Sequence, residues 1–198
     1  MFDWDAALFA RLAVCFLLGA IPFAVIAMIG TGIDIRKAGS GNPGFNNVLR
    51  FSKPRAVFTL IGDLGKGLAA IWLVTRPGDP NHVLWMYALA AILGHCYTPW
   101  LGFDGGKGIA TSAGIMLYLY PKYVLPLIAV YVLLRLIGKK LQWLEAGTIA
   151  SITGYAVFVA LLFLYEDRAS ALWSAAFLAL VVWRHKKNFQ NLAAAARA

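Results

Sequence analysis

Charge is what this sequence has least of. Only 14% of its 198 residues are Asp, Glu, Lys or Arg, against about 25% in a soluble domain. That excludes an ordinary water-soluble fold. Cysteine is nearly absent. Cys15 and Cys96 lie far apart, which excludes a disulfide framework and any zinc-ligand spacing. No basic region precedes the first apolar run in MFDWDAALFA, so a cleaved signal peptide is not expected. Internal repeats are lacking, and low complexity is confined to an alanine-rich tail.

Apolar residues fill the space that charge leaves. They make up 61% of the chain, with seven Trp, eight Tyr and twelve Phe suited to interfacial belts and helix packing. A span needs about 20 apolar residues, fewer where protein surrounds it. Seven runs qualify: Ala6–Ile29, Ala56–Val74, Val83–Leu93, Ile109–Leu119, Tyr123–Leu136, Leu144–Tyr165 and Ala171–Trp183. The expected fold is all-α: one polytopic membrane domain, residues 1–198, with about seven transmembrane helices. The third, fourth and fifth runs are short, so five or six crossings with re-entrant pieces are the alternative.

The formal net charge of +9 sits between apolar runs, which points to lipid headgroups or anionic substrates rather than nucleic acid. With the N-terminus outside and the C-terminus cytoplasmic, thirteen of the eighteen Lys and Arg residues fall inside and three outside. That asymmetry sets the orientation. The same topology puts three polar segments on one face: GSGNPGFNNVLR (39–50), GHCYTPWLGFDGGKG (94–108) and WRHKKNFQN (183–191). They are expected to converge on one site.

Each segment has a plain and a functional reading. In GSGNPGFNNVLR, glycines at 39, 41 and 44 let backbone N–H groups turn toward an anion. Ser40, Asn42, Asn46 and Asn47 add donors, and Arg50 adds a planar fork that fits phosphate. The plain reading is a turn with a positive-inside arginine. GFDGGKG lacks the glycine spacing and the Ser or Thr of a Walker A loop. Gly105, Gly106 and Lys107 still suit phosphate at a helix start; otherwise the lysine is interfacial. In DLGKG, Asp63 and Lys66 share a helix face, either as a neutralising pair or as a charged wall of the site. His95 and His185 are structural residues or members of the same basic face. Trp100 stands where the His-x4-Asp pattern of soluble-type acyltransferases would need aspartate.

Taken together, these segments resemble one family. GSGNPGFNNVLR is similar to its Gly-Ser-Gly-Asn-x-Gly-Ala-Thr-Asn-x-x-Arg motif, and DLGKG to its Asp-x-x-Lys-Gly. GHCYTPWLGFDGGKGIAT resembles its Gly-His segment leading into Phe-Lys-Gly-Gly-Lys-Gly-x-Ala-Thr. RHKKNFQNL resembles its Arg-His-x-x-Asn-Ile close. The family is the bacterial acyl-phosphate:glycerol-3-phosphate acyltransferases, PlsY, and the likeness runs along nearly the whole chain. This chain departs from the pattern at Phe45-Asn46, at Asp104 in place of lysine, at LEAGT with Thr148 keeping a hydroxyl, and at Asn191.

The resemblance implies acyl transfer from acyl phosphate to the 1-hydroxyl of glycerol 3-phosphate, in the bacterial inner membrane with the site on the cytoplasmic face. It implies Ser40, Arg50, Lys107 and His185 as catalytic residues. Substrate binding would fall to Gly41, Asn42, Gly44, Asn47, Lys66, His95, Gly105, Gly106, Thr148 and Asn188. A monomer without cofactor or metal is expected, in contact with membrane lipid. His95 as general base is the less favoured option. The alternatives are a related acyltransferase with another hydroxylated acceptor, suggested by Asp104, a small anion transporter, and a non-catalytic binder of acyl phosphate. The outer loops lack the polar clusters a transport path needs.

Overall fold

The structure is a computed structural model that describes residues 6–197. The reading of the first five residues, in MFDWD, lies outside the described residues. Everything regular in those residues is helical. The chain divides into two units, one ending at Leu119 and the other starting at Tyr120.

The first unit begins with α1 (Ala6–Ala20) and α2 (Phe23–Met28). The stretch Ala6–Met28 is long and apolar enough for the one span expected here, but its helix is not continuous. Pro22 breaks it, because proline has no N–H and its ring clashes with the preceding turn. The break strips partners from the carbonyls at the end of α1. Thr98 Oγ1 donates to the Ala20 carbonyl at 2.7 Å, and Lys66 Nζ donates to that of Ile21 at 2.7 Å. Further on, Arg55 donates to the Ala27 and Ile29 carbonyls at the end of α2. After the loop come a single turn, α3 (Phe45–Val48), the long α4 (Lys53–Val74), α5 (Asn81–Cys96) and α6 (Ile109–Leu119).

Small residues set how closely these helices pack. A Cβ on Gly67 would overlap the Thr111 carbonyl, and one on Gly114 would overlap that of Leu64. So α4 and α6 meet backbone to backbone, as apolar helices do at small-residue faces. This contact carries the start of α6, and the loop before it, against the buried middle of α4. Arg11, a charge inside the first predicted span, donates to both Asp79 oxygens at 3.0 and 2.9 Å and lies over the Tyr87 ring.

The second unit holds α7 (Pro121–Lys140), α8 (Ala146–Tyr165), α9 (Arg168–Arg184) and α10 (Lys186–Ala195). Helix α8 packs against both α7 and α9. Helix α10 is an addition to the sequence reading, which left its alanines as a low-complexity tail. Four segments in the described residues are long and apolar enough to cross a membrane: Ala6–Met28, Lys53–Val74, Pro121–Lys140 and Ala146–Tyr165. Helix α6, at 11 residues, is also apolar but shorter, and α5 and α9 have 16 and 17 residues.

Candidate active site

The loop from Lys37 to Arg50 folds around one side chain. Asn47 is buried, and its Oδ1 accepts from the Ser40 N–H at 2.9 Å. Its Nδ2 donates to the Ile35 and Ala38 carbonyls at 2.9 and 3.0 Å. The chain can close this tightly because Gly39 and Gly41 adopt left-handed conformations, φ 61° and 72°. Asn47 was expected to touch substrate; its amide instead braces the loop that carries Ser40. Ser40 and Arg50 are exposed on this loop, and Asn42 is half-buried. Nearby, a hydrogen bond from Arg36 holds the Asp34 carboxyl below the usual carboxylate range.

The glycine amides also differ from expectation. Gly41 N–H donates to Ala38 and Gly44 N–H to Asn42, while Gly105 and Gly106 donate to the Cys96 and His95 carbonyls at 3.0 and 3.1 Å. The Gly41 and Gly44 amides therefore hold their own turns, and those of Gly105 and Gly106 tie their loop to the end of α5, rather than forming an open anion nest. At Gly106 the reason for glycine is close approach: a Cβ there would overlap His95 Nε2. Lys107 follows, half-buried, two residues before the start of α6. The positive end of that helix favours an anion beside the ammonium.

Below this loop lies a buried ionic group. Lys66 Nζ is 2.8 Å from Asp63 Oδ1, with both side chains at most 4% exposed. On the other side of Asp63, His95 Nδ1 is 3.6 Å from the same oxygen and 3.1 Å from Thr111 Oγ1. Lys66 was expected to reach substrate phosphate. Its ammonium contacts Asp63, the pairing that the alternative reading expected, and the Ile21 carbonyl, and Lys66 also lines a cavity. A small cavity of about 10 Å³, room for about one water, is lined by Asp63, Lys66, His95, Gly105 and Gly106. Pro43, Thr98, Leu101 and the Ala20–Phe23 break complete its wall, so GSGNPG and GGKG border one cavity.

The second unit has its own polar centre, which sequence reasoning missed. Glu145 starts α8 from a left-handed conformation, φ 58°. Its carboxylate accepts from Asn188 and, at 2.9 Å, from Asn191. Thr148 Oγ1 donates to it at 3.3 Å. So Thr148 and Asn188, two expected binding residues, meet on one carboxylate, and Asn191 joins them. The signal available in sequence was an acid in a segment that otherwise carries only Lys139 and Lys140. His185 is buried at the junction of α9 and α10, and its Nδ1 lies 2.7 Å from the Val181 carbonyl. A carbonyl only accepts, so Nδ1 carries a proton and the ring is fixed through that nitrogen.

The first polar centre lies in segments that carried the resemblance, and the second joins Asn188 of one such segment to Glu145 and Thr148 of LEAGT, where the chain departs from the pattern. The family model described as glycerol-3-phosphate acyltransferase matches residues 9–195. The chain belongs to this family. Among its relatives, the glycerol-3-phosphate acyltransferase of Neisseria meningitidis is 41% identical over 187 residues, covering 91% of this chain and 90% of the relative. That of Bordetella petrii is 38% identical over 191 residues, covering 93% and 89%. A crystal structure of PlsY (YgiH), described as an integral membrane glycerol 3-phosphate acyltransferase in its glycerol 3-phosphate form, is similar with a TM-score of 0.84. Identity there is 30%, with 96% of this chain and 94% of that chain covered. As a member of this family, the chain is an integral membrane acyltransferase.

Proposed function

We propose that this chain transfers a fatty acyl group from an acyl phosphate to the 1-hydroxyl of sn-glycerol 3-phosphate, releasing lysophosphatidic acid and inorganic phosphate. The observation that carries the reading is the family match over residues 9–195, within which Ser40, Arg50, Lys107, His185 and Asn188 all fall. The alcohol oxygen bonds to the acyl carbon, and the bond from that carbon to the phosphate oxygen breaks. The proton of the hydroxyl passes to the departing phosphate, so no side chain has to keep it. An acyl phosphate is already activated, and no covalent enzyme intermediate is required.

What the protein must supply is charge balance and alignment. Two phosphorylated reactants together bring about four negative charges near neutral pH. Their repulsion is offset only where cations and donors are fixed in place. Arg50 provides a bidentate fork, Lys107 an ammonium at the positive end of α6, and His185 an imidazole whose ring is fixed by Val181. Ser40, Asn42 and Asn188 supply neutral donors. Holding both reactants aligned contributes roughly 7–11 kcal/mol to the rate. In this reading Gly41, Gly44, Gly105, Gly106, Asn47, Lys66, His95 and Thr148 serve binding by shaping these loops.

The same proposal takes the chain as one acyltransferase domain and a monomer that binds no nucleic acid. Seven helices cross the inner membrane with the N-terminus outside and the C-terminus cytoplasmic. The reaction runs on the cytoplasmic face, with the acyl chain in contact with lipid. Purified protein should release phosphate from palmitoyl phosphate only when glycerol 3-phosphate is added. Arg50→Ala and Lys107→Ala should each remove most of that turnover; near-wild-type rates in both would refute the assignment. Asp104, exposed three residues before Lys107, favours one second reading, a different hydroxylated acceptor. A panel of acceptors separates the two.

A further inference from the structure

The loop that ends at Lys107 is held by contacts that begin inside α4. Asp63 faces Lys66 at 2.8 Å on one side and His95 Nδ1 at 3.6 Å on the other. Thr111 Oγ1 approaches the same nitrogen at 3.1 Å. These two groups fix the Nδ1 edge of the ring toward the helices. The opposite edge then faces Gly106, so closely that a Cβ there would overlap Nε2. The His95 carbonyl in turn accepts the Gly106 N–H, and the Cys96 carbonyl that of Gly105. The ring and carbonyl of His95 thus hold Gly106, and the neighbouring Cys96 carbonyl holds Gly105, immediately before Lys107.

Stability alone is a weak reason for such a group. A buried ion pair costs about as much in desolvation as it returns. Ionisable groups inside a membrane helix are expensive, and where they occur they serve a site. Lys66 has a local task, the Ile21 carbonyl at 2.7 Å. Asp63 balances that ammonium, but a balancing charge has no need to lie against an imidazole. Its second contact is the one that reaches the glycine loop.

We propose that Asp63, with Thr111, is a positioning residue for the transferase reaction: it orients His95, whose ring and carbonyl hold Gly106, the residue after which Lys107 follows to reach substrate phosphate. The inference rests on the acyltransferase reading above. Asp63 and Thr111 touch no substrate; they act through His95.

The test is steady-state kinetics on the full chain, with KM for both substrates, kcat and the thermal midpoint measured in one detergent. Lys107→Arg first identifies the substrate whose KM depends on that side chain. Asp63→Asn should raise the KM of that same substrate at least tenfold and leave the other within about twofold. Because Asp63→Asn leaves Lys66 charged and unbalanced, Asp63→Asn/Lys66→Met is measured beside it. This double variant should recover the midpoint and keep the raised KM. Thr111→Val, a milder change, should raise the same KM at least threefold with the midpoint unchanged. Recovery of both midpoint and KM by the double variant would overturn the inference and leave Asp63 a counter-ion. So would a wild-type KM in Thr111→Val, or equal effects on the two substrates. Absence of acceptor-dependent phosphate release from the wild type would instead overturn the functional reading itself.

Discussion

Replacing Asn47 by alanine removes the brace of the loop that carries Ser40. Three hydrogen bonds go with it: from the Ser40 N–H at 2.9 Å and to the Ile35 and Ala38 carbonyls at 2.9 and 3.0 Å. Each is worth about 1 kcal/mol net, so the loop loses about 3 kcal/mol against its open state. At a factor of ten per 1.4 kcal/mol, local opening becomes roughly a hundredfold more frequent. Hydrogen exchange followed by mass spectrometry reads this directly in peptides covering residues 35–48. Exchange there should quicken by about two orders of magnitude, while peptides from α8 and α9 keep wild-type rates. Turnover should fall roughly ten- to a hundredfold, because Ser40 no longer holds its place. If exchange in the loop stays within about threefold of wild type, Asn47 does not brace it and the loop's order comes from elsewhere.

Gly106→Ala should lower turnover while the protein still inserts and folds, since the added methyl must displace the His95 ring at an overpacking cost of about 1–3 kcal/mol; kinetics beside a thermal scan checks it. Glu145→Ala should free Asn188, Asn191 and Thr148 together, and limited proteolysis should then cut α10 faster than in the wild type. At Asp167, hydrogen bonds from Ser170 Oγ at 2.6 Å and its N–H at 2.8 Å hold the carboxyl below its ordinary range. A depressed folded-state pKa stabilises above the ordinary carboxylate range and loses that stabilisation as pH falls through the folded value. Thermal midpoints taken from neutral to acid pH should therefore fall less steeply in Asp167→Asn, and Asp167→Ala should cost about 1 kcal/mol at neutral pH as a lost helix cap.

Hydropathy alone located the helices well. Five of the seven predicted runs lie within single helices, Leu144–Tyr165 starts two residues before α8, and Ile109–Leu119 matches to the residue. The break at Pro22 was harder to read, because its carbonyls are satisfied by Lys66 and Thr98, which lie far along the chain. The Asp63–Lys66 pair followed from helical spacing. Its neighbour His95 did not, since α4 and α5 meet only in three dimensions. Glycine-rich loops suggested open amides, yet spacing cannot tell an amide facing an anion from one closing its own turn. Glu145 escaped for a similar reason: its partners Asn188 and Asn191 sit more than 40 residues away in sequence.

The most direct measurement follows the oxygen that leaves. Palmitoyl phosphate labelled with heavy oxygen in the bridging position is mixed with glycerol 3-phosphate and purified protein, and both products are weighed by mass spectrometry. Attack of the hydroxyl on the acyl carbon predicts the whole label in inorganic phosphate, with one phosphate formed for each lysophosphatidic acid. Label retained in the lipid, or phosphate released without the acceptor, would contradict direct acyl transfer.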